Sequence, residues 1–136
     1  MSLDLIRASA HVREHQAKTF VIKVGGACLA KPRYIRRVAE QLACVHALGA
    51  RLVVVHGAGP QANECQRALG EEPVFVDGRR VTTPAALEAL TKSTSELSLA
   101  LKEALEARGS VASATTSCAS ATKRPPMQTS EGEVDF

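Results

Sequence analysis

At 136 residues and 45% hydrophobic content, the chain can fill one modest core as a globular protein does, and nothing suggests more than one compact domain. Its 17 basic and 14 acidic residues leave a net charge of +3 scattered along the sequence, and aromatics make up 3%, so neither a basic nucleic-acid stripe nor a base-stacking platform is present. No apolar run approaches the roughly 18 residues of a membrane span and no basic-then-apolar leader opens the chain, so the expectation is a cytoplasmic protein with no nucleic-acid and no membrane partner.

Met1 to Lys18 carries apolar Leu3, Ile6 and Ala10 ahead of polar Arg13, Glu14, His15 and Gln16, a weakly amphipathic helical extension with a charged end. Thr19 to Val24 is a strand whose near-continuous apolar character suits a parallel strand covered on both faces, with Lys23 near its carboxyl end. Gly25 and Gly26 stop it. Backbone N–H groups freed by two glycines, a fixed ammonium and a helix N-terminus just beyond them outline an anion site suited to a phosphate. Pro32 opens a helix on which Ile35, Val38, Leu42 and Val45 recur at spacings of three and four, and Gly49 closes it. Leu52 to Val55 is a second buried strand, ending in His56-Gly-Ala-Gly-Pro60. There Pro60 opens a helix that runs to Leu69 and stops at Gly70. Two strand-turn-helix units of one design imply a right-handed parallel crossover.

Pro73 to Val81 changes the rhythm: two short β-prone runs around Asp77-Gly78 form a tight hairpin projecting from the sheet. Thr83-Pro84 caps a helix through about Leu90, and Ser93 with Glu96 offers a capping box for a following helix with Leu97, Leu101 and Leu105, ending at Gly109. Ser110 to Thr122 reads as a short strand running into a loop, Lys123-Arg-Pro-Pro126 as a break, and Glu133 to Phe136 as the start of a strand. Cys28, Cys44, Cys65 and Cys118 have neither C-x-x-C nor zinc spacing and read as reduced, small core residues. No metal-ligating set is assigned.

The combination VIKVGG, then VVVHGAGPQ about thirty residues on, then VDGRRVT, resembles the N-terminal half of the amino acid kinase family, most closely its acetylglutamate kinase members. The likeness runs from about Lys18 to Ala89 and more loosely to Phe136, and three motifs in order make a far more specific signal than a lone Gly-Gly. The resemblance implies a three-layer α/β/α sandwich around a mostly parallel sheet, and transfer of the terminal phosphoryl group of ATP, with Mg2+, onto a side-chain carboxylate. It further implies N-acetyl-L-glutamate as substrate in arginine biosynthesis, a homo-oligomer, and L-arginine as an inhibitor acting through the segment before KTFVIK. On this reading residues 1–18 are the helical extension and 19–136 the amino-acid-substrate portion of the kinase domain. The family's nucleotide half, with its second lysine and an organising aspartate, has no counterpart here, so the expectation is a truncated, substrate-side half.

Carried over residue by residue, the resemblance sets Lys23 against the transferring phosphoryl group, with Gly25, Gly26 and Gly57 around the phosphate. It sets Ala58 and Gly59 against the acylated amino acid, and Arg80 on its α-carboxylate. A cation and N–H dipoles answer the charge that spreads over phosphoryl oxygens, and a guanidinium fork grips a carboxylate with two parallel bonds. His56 receives no proton-transfer role, because a carboxylate nucleophile is already ionised at neutral pH. Each residue also has a plainer reading. Lys23 could be a strand-end lysine reaching to water, and Gly57 and Gly59 could let a helix pack closely on a strand; neighbours in a strand face opposite sides, so Arg79 could be the exposed one of its pair, and the choice of Arg80 as ligand rests on the resemblance. Arg33, Arg36 and Arg37 read as a solvated face. Two departures stand out: HGAG replaces the more usual HGGG, and Ala114 to Ala119 lacks the glycine of the family's next loop. Two other functions fit part of the pattern, an arginine-sensing kinase-like domain of an acetylglutamate synthase and a non-catalytic remnant.

Overall fold

The computed structural model describes residues 2–116, 127–129 and 132–134. The chain divides into two compact units, Met1–Gly57 with Ala100–Ser113, and Ala58–Leu99 with Ala114–Phe136. It is a mixed α/β fold with a parallel strand pair.

In the first unit, helix α1 (Ser2–His15) precedes strand β1 (Thr19–Val24), a single 3-10 turn (Gly26–Leu29), helix α2 (Pro32–Ala47) and strand β2 (Arg51–His56). β1 and β2 pair in parallel from Thr19 opposite Arg51 to Val24 opposite His56, so Lys23 lies opposite Val55. α2 begins at its proline as expected, since Pro32 needs no N–H in the first turn. Its apolar stripe meets the sheet. Ala39 and Leu42 are buried with Leu101, and Ile22, Leu52 and Val54 pack against them, the two buried leucines contributing about 1.5–3 kcal/mol each. The chain leaves α2 through Gly49 at φ +95°, where an added Cβ would stand 2.8 Å from Gln16 Cγ. Here glycine is required twice, by conformation and by the segment after α1 that crosses it.

The strands alternate rather than being covered on both faces. Phe20, Ile22 and Val24 of β1, with Leu52, Val54 and His56 of β2, are at least partly covered, whereas Val21, Val53 and Val55 are 71%, 48% and 52% exposed. This corrects the reading of two fully buried strands. In a parallel pair both faces need a covering layer, and within the described chain helices supply one. Lys23 lies on the open face, in step with Val21.

In the second unit, helix α3 (Gly59–Ala68) is followed by strands β3 (Phe75–Val76) and β4 (Arg79–Arg80), which pair antiparallel. Asp77 and Gly78 join them with φ of +48° and +74°, the two positive values of a type I′ turn whose twist matches the strands. Next comes helix α4 (Pro84–Glu106), capped by Thr83, whose Oγ1 accepts from the Ala86 N–H at 3.1 Å. α4 runs unbroken through Ser93, which corrects the reading of two helices with a capping box. Ser93 is buried, in step with Ala86, Ala89 and Leu97 on one stripe, and no glycine or proline interrupts the run. From Ala100 onward the helix belongs to the first unit.

Residues 110–116 form no strand, contrary to expectation. A short antiparallel pair, β5 (Met127–Thr129) and β6 (Gly132–Val134), takes in Glu133 and Val134, while Lys123 to Pro126, Asp135 and Phe136 lie outside the described residues. The cysteines of the described residues are free, but Cys28 and Cys44 are exposed and Cys65 half-buried, so they are not core residues. Cys44 falls off the Ala39–Leu42 stripe and Cys28 sits in the 3-10 turn. Cys118 lies outside the described residues.

Candidate functional site

Lys23, Gly25, Gly26 and Gly57 belong to the first unit, and Ala58, Gly59 and Arg80 to the second. Lys23 is exposed, one residue from the end of β1. Gly25 follows in an extended conformation, φ −66° and ψ 146°, and its carbonyl accepts from the Cys28 N–H at 2.9 Å, closing the 3-10 turn. That turn separates the two glycines from α2, which starts at Pro32. Across the pair, Gly57 donates its N–H to Val24 O at 3.0 Å, and a Cβ on Gly57 would lie 3.6 Å from the Gly26 nitrogen. The ends of the two strands therefore bring both glycine turns together beyond Lys23. Because the Gly57 N–H is spent on the strand, that residue can offer a ligand room but no donor.

The motif glycines differ in kind from the turn glycines. Gly49, Gly70, Gly78 and Gly109 all have positive φ, which glycine alone adopts cheaply. Gly25 and Gly59 do not, and a Cβ on either would meet nothing within 4 Å. Among the described residues, neither backbone conformation nor packing demands glycine at either position, and close packing of α3 on a strand finds no support at Gly59. Bare backbone facing open space is what a ligand of close approach uses.

In the second unit, Ala58 is buried and caps α3, its carbonyl accepting from the Ala62 N–H at 2.8 Å. No side chain caps this helix, and Pro60 in its first turn carries no N–H, so at the helix end the partial positive charge is presented chiefly at the Gly59 N–H. Arg80 is half-buried against the same helix while Arg79 is exposed, as alternation along a strand dictates. Arg80 donates from Nη1 to Gln66 Oε1 at 2.7 Å and from Nη2 to Asn63 Oδ1, and its guanidinium carbon lies 4.9 Å from the centre of the Phe75 ring. Gln66, 2% exposed, passes the connection on: its Nε2 donates to Glu71 Oε2 at 3.3 Å, and Thr83 Oγ1 donates to the same oxygen at 2.7 Å. Arg80 is thereby fixed to the body of the unit through α3 and the start of α4. A guanidinium has five donors, so Nε and the second hydrogens of Nη1 and Nη2 remain for a ligand.

Asn63 and Gln66 escaped the sequence reading. Their signal was the spacing: Gly59, Asn63 and Gln66 stand at i, i+4 and i+7 and share one face of α3, with Asn63 about 6 Å along the axis from Gly59. An open hollow of ≈ 370 Å³ is lined by Ser95, Ser98, Leu99, Ala114, Thr115 and Thr116, and no motif residue lines it.

The family model described as the amino acid kinase family matches residues 18–131. The chain belongs to the amino acid kinase family. Within it, the chain is 43% identical over 84 residues to the acetylglutamate kinase of Symbiobacterium thermophilum and 39% identical over 84 residues to that of Methanoregula boonei, in each case 62% of this chain and 29% of the relative. The acetylglutamate kinase of Myxococcus xanthus is 42% identical over 85 residues, 62% of this chain and 28% of the relative. The match thus spans less than a third of the curated relatives' length. Among solved structures, N-acetylglutamate synthase from Neisseria gonorrhoeae complexed with coenzyme A and N-acetyl-glutamate is similar in fold. Its TM-score is 0.69 at 23% identity, over 79% of this chain and 25% of that one. The same synthase complexed with coenzyme A and L-arginine gives a TM-score of 0.56 at 24% identity, over 88% of this chain and 27% of that one.

Proposed function

We propose that this chain is the amino-acid-substrate portion of an acetylglutamate-kinase-type phosphotransferase, residues 1–18 being a helical extension and 19–136 part of the kinase domain. The reaction moves the terminal phosphoryl group of ATP onto the side-chain carboxylate of N-acetyl-L-glutamate. The observation that carries this reading is the mounting of Arg80, held by Asn63 and Gln66 on the helix whose uncapped N-terminus is Ala58-Gly59. A short acylated dicarboxylic acid offers a carboxylate for the guanidinium fork and polar atoms for the helix end. Lys23 supplies positive charge as negative charge spreads over the phosphoryl oxygens, and bare Gly25 admits those oxygens. A carboxylate nucleophile needs no general base, so His56 has no chemical step. Among the described residues, the one group of three metal-capable side chains is His11, Glu14 and His15, none of them in the glycine motifs. None of these three belongs with Lys23 or Arg80, and the Mg2+ that accompanies ATP is carried by the nucleotide's own phosphates as much as by protein carboxylates.

The fold likeness to the synthase supports a second reading, an arginine-binding kinase-like domain of an acetylglutamate synthase. The 39–43% identity to kinases favours the first. Calorimetric titration of the chain with N-acetyl-L-glutamate and with L-arginine separates the two. Binding of acetylglutamate that weakens about tenfold or more in Arg80→Lys and is unchanged in Arg79→Lys is the expected result. Equal effects of the two substitutions sink the Arg80 assignment, and binding of arginine alone selects the synthase reading.

A further inference from the structure

His11, Glu14 and His15 stand at i, i+3 and i+4 on α1, so all three project from one face of its last two turns. One ligand atom from each, a ring nitrogen or a carboxylate oxygen, lies within 4.8 Å of the other two, and all three residues are exposed. We propose that His11, Glu14 and His15 form a binding site for a divalent transition-metal ion of the zinc type, with one position left for water. Two imidazoles and a carboxylate are a donor set that zinc takes readily, whereas magnesium and calcium prefer oxygen alone. Histidines four apart on a helix present their rings to a single ion, the spacing used by helical zinc motifs. Tetrahedral coordination with bonds of about 2.0–2.2 Å sets ligand atoms roughly 3.4 Å apart. The cluster has to close by at most about 1.4 Å, within reach of side-chain rotation at the surface. Arg13, two residues from His11 and from His15, does not share their face.

The end of the helix that carries the cluster is anchored. The His15 ring meets Phe20 of β1 edge-on, with centroids 5.6 Å apart and planes at 79°. Just beyond, Ala17 donates its N–H to Gly49 O at 2.8 Å, Arg51 Nη2 donates to Ala17 O at 2.8 Å, and the Arg51 N–H donates to Lys18 O at 2.9 Å. The segment that follows α1 is therefore held to Gly49 and to the start of β2, and one of the two histidines has its ring already placed against β1. A ligand ordered before binding costs less to order on binding. The ion would link two successive turns of α1 and hold them at the start of β1. The site shares no residue with the glycine motifs, so it stands apart from the kinase reading.

Titrating the full chain with zinc chloride, and separately with magnesium chloride, tests this by calorimetry. One zinc ion should bind per chain, with no comparable binding of magnesium. His11→Ala and Glu14→Gln should each weaken zinc binding, the former by about tenfold or more. His15→Ala should do the same but also loses the Phe20 contact, so the other two variants decide. His46→Ala should have no effect, because His46 is engaged with Ala50 O at 2.9 Å. Zinc binding that is unchanged in His11→Ala, as binding to the exposed thiols of Cys28 or Cys44 would give, overturns the proposal, and so does the absence of zinc binding.

Discussion

At Gly49 the backbone stands at φ +95° with Gln16 Cγ where a Cβ would go, so Gly49→Ala should lower stability by about 1–2 kcal/mol or more, read from urea denaturation. Gly25 predicts the opposite. Its φ of −66° suits any residue and its Cβ would meet open space, so Gly25→Ala should leave the urea midpoint unchanged or slightly raised. If the open space is kept for phosphate, the same change should weaken ATP binding measured by equilibrium titration. Unchanged ATP affinity in a normally folded Gly25→Ala protein counts against the phosphate assignment. A sequence shows both residues as glycine and cannot separate them, since the distinction lies in the dihedral and in what stands opposite. The same holds for Arg79 and Arg80. Alternation says that the two face opposite sides, but which of them lies against α3 is decided by packing: Arg80, opposite Phe75, reaches Asn63 and Gln66, while Arg79, opposite Val76, is exposed. Asn63 and Gln66 were within reach, as two polar residues in step with Gly59, yet a polar helix face is ordinarily solvent. Only the arginine laid across it identifies this one as a mount. Gln66→Leu should cost about 1–3 kcal/mol, because it leaves Arg80 and Glu71 without a partner that is itself buried.

Helix α4 shows what element-level reading misses. Thr83-Pro84 announced its start correctly, and the Thr83 hydroxyl does accept from the Ala86 N–H. Ser93 with Glu96 looked like a second start, because serine three residues before glutamate is the same signature wherever it occurs. A cap, however, needs a non-helical residue before it, and nothing between Leu90 and Ser93 breaks the helix. Burial of Ser93 on the stripe with Ala86, Ala89 and Leu97 decides for continuity. The two hydroxyls therefore have different worth. Thr83→Val should destabilise by about 1 kcal/mol, the ordinary cost of a lost N-cap, while Ser93→Ala should be neutral or slightly stabilising. Equal losses in thermal or urea unfolding would restore the two-helix reading. The strands of the first unit were legible as parallel from their apolar runs and the helix between them. Their exposed valines were not, because an apolar run does not reveal how many of its faces find a covering layer.

At the scale of the whole molecule, the described residues leave Val21, Val53 and Val55 exposed beside Lys23 on one face of a two-stranded sheet, and exposed apolar surface of this kind should promote self-association at high concentration. Val21→Thr with Val53→Thr, keeping β-branched shape while adding hydroxyls, should reduce any concentration-dependent mass seen by sedimentation. Lys23 shares that face and is exposed, opposite Val55 in the strand pair. The consequence for chemistry is direct. Phosphoryl transfer relies on positioning and on several positive groups acting together, and a single exposed lysine beside a bare glycine turn supplies only a part of that. These 136 residues should therefore bind acetylglutamate through Arg80 without turning it over. ADP release with acetylglutamate and magnesium-ATP, compared between the natural chain and Lys23→Ala, is the measurement. Equal background rates are expected. Lysine-dependent turnover at the roughly 1–100 per second of kinases would show that the catalytic groups are already complete within these residues, and that Lys23 works in company not apparent from its exposed position.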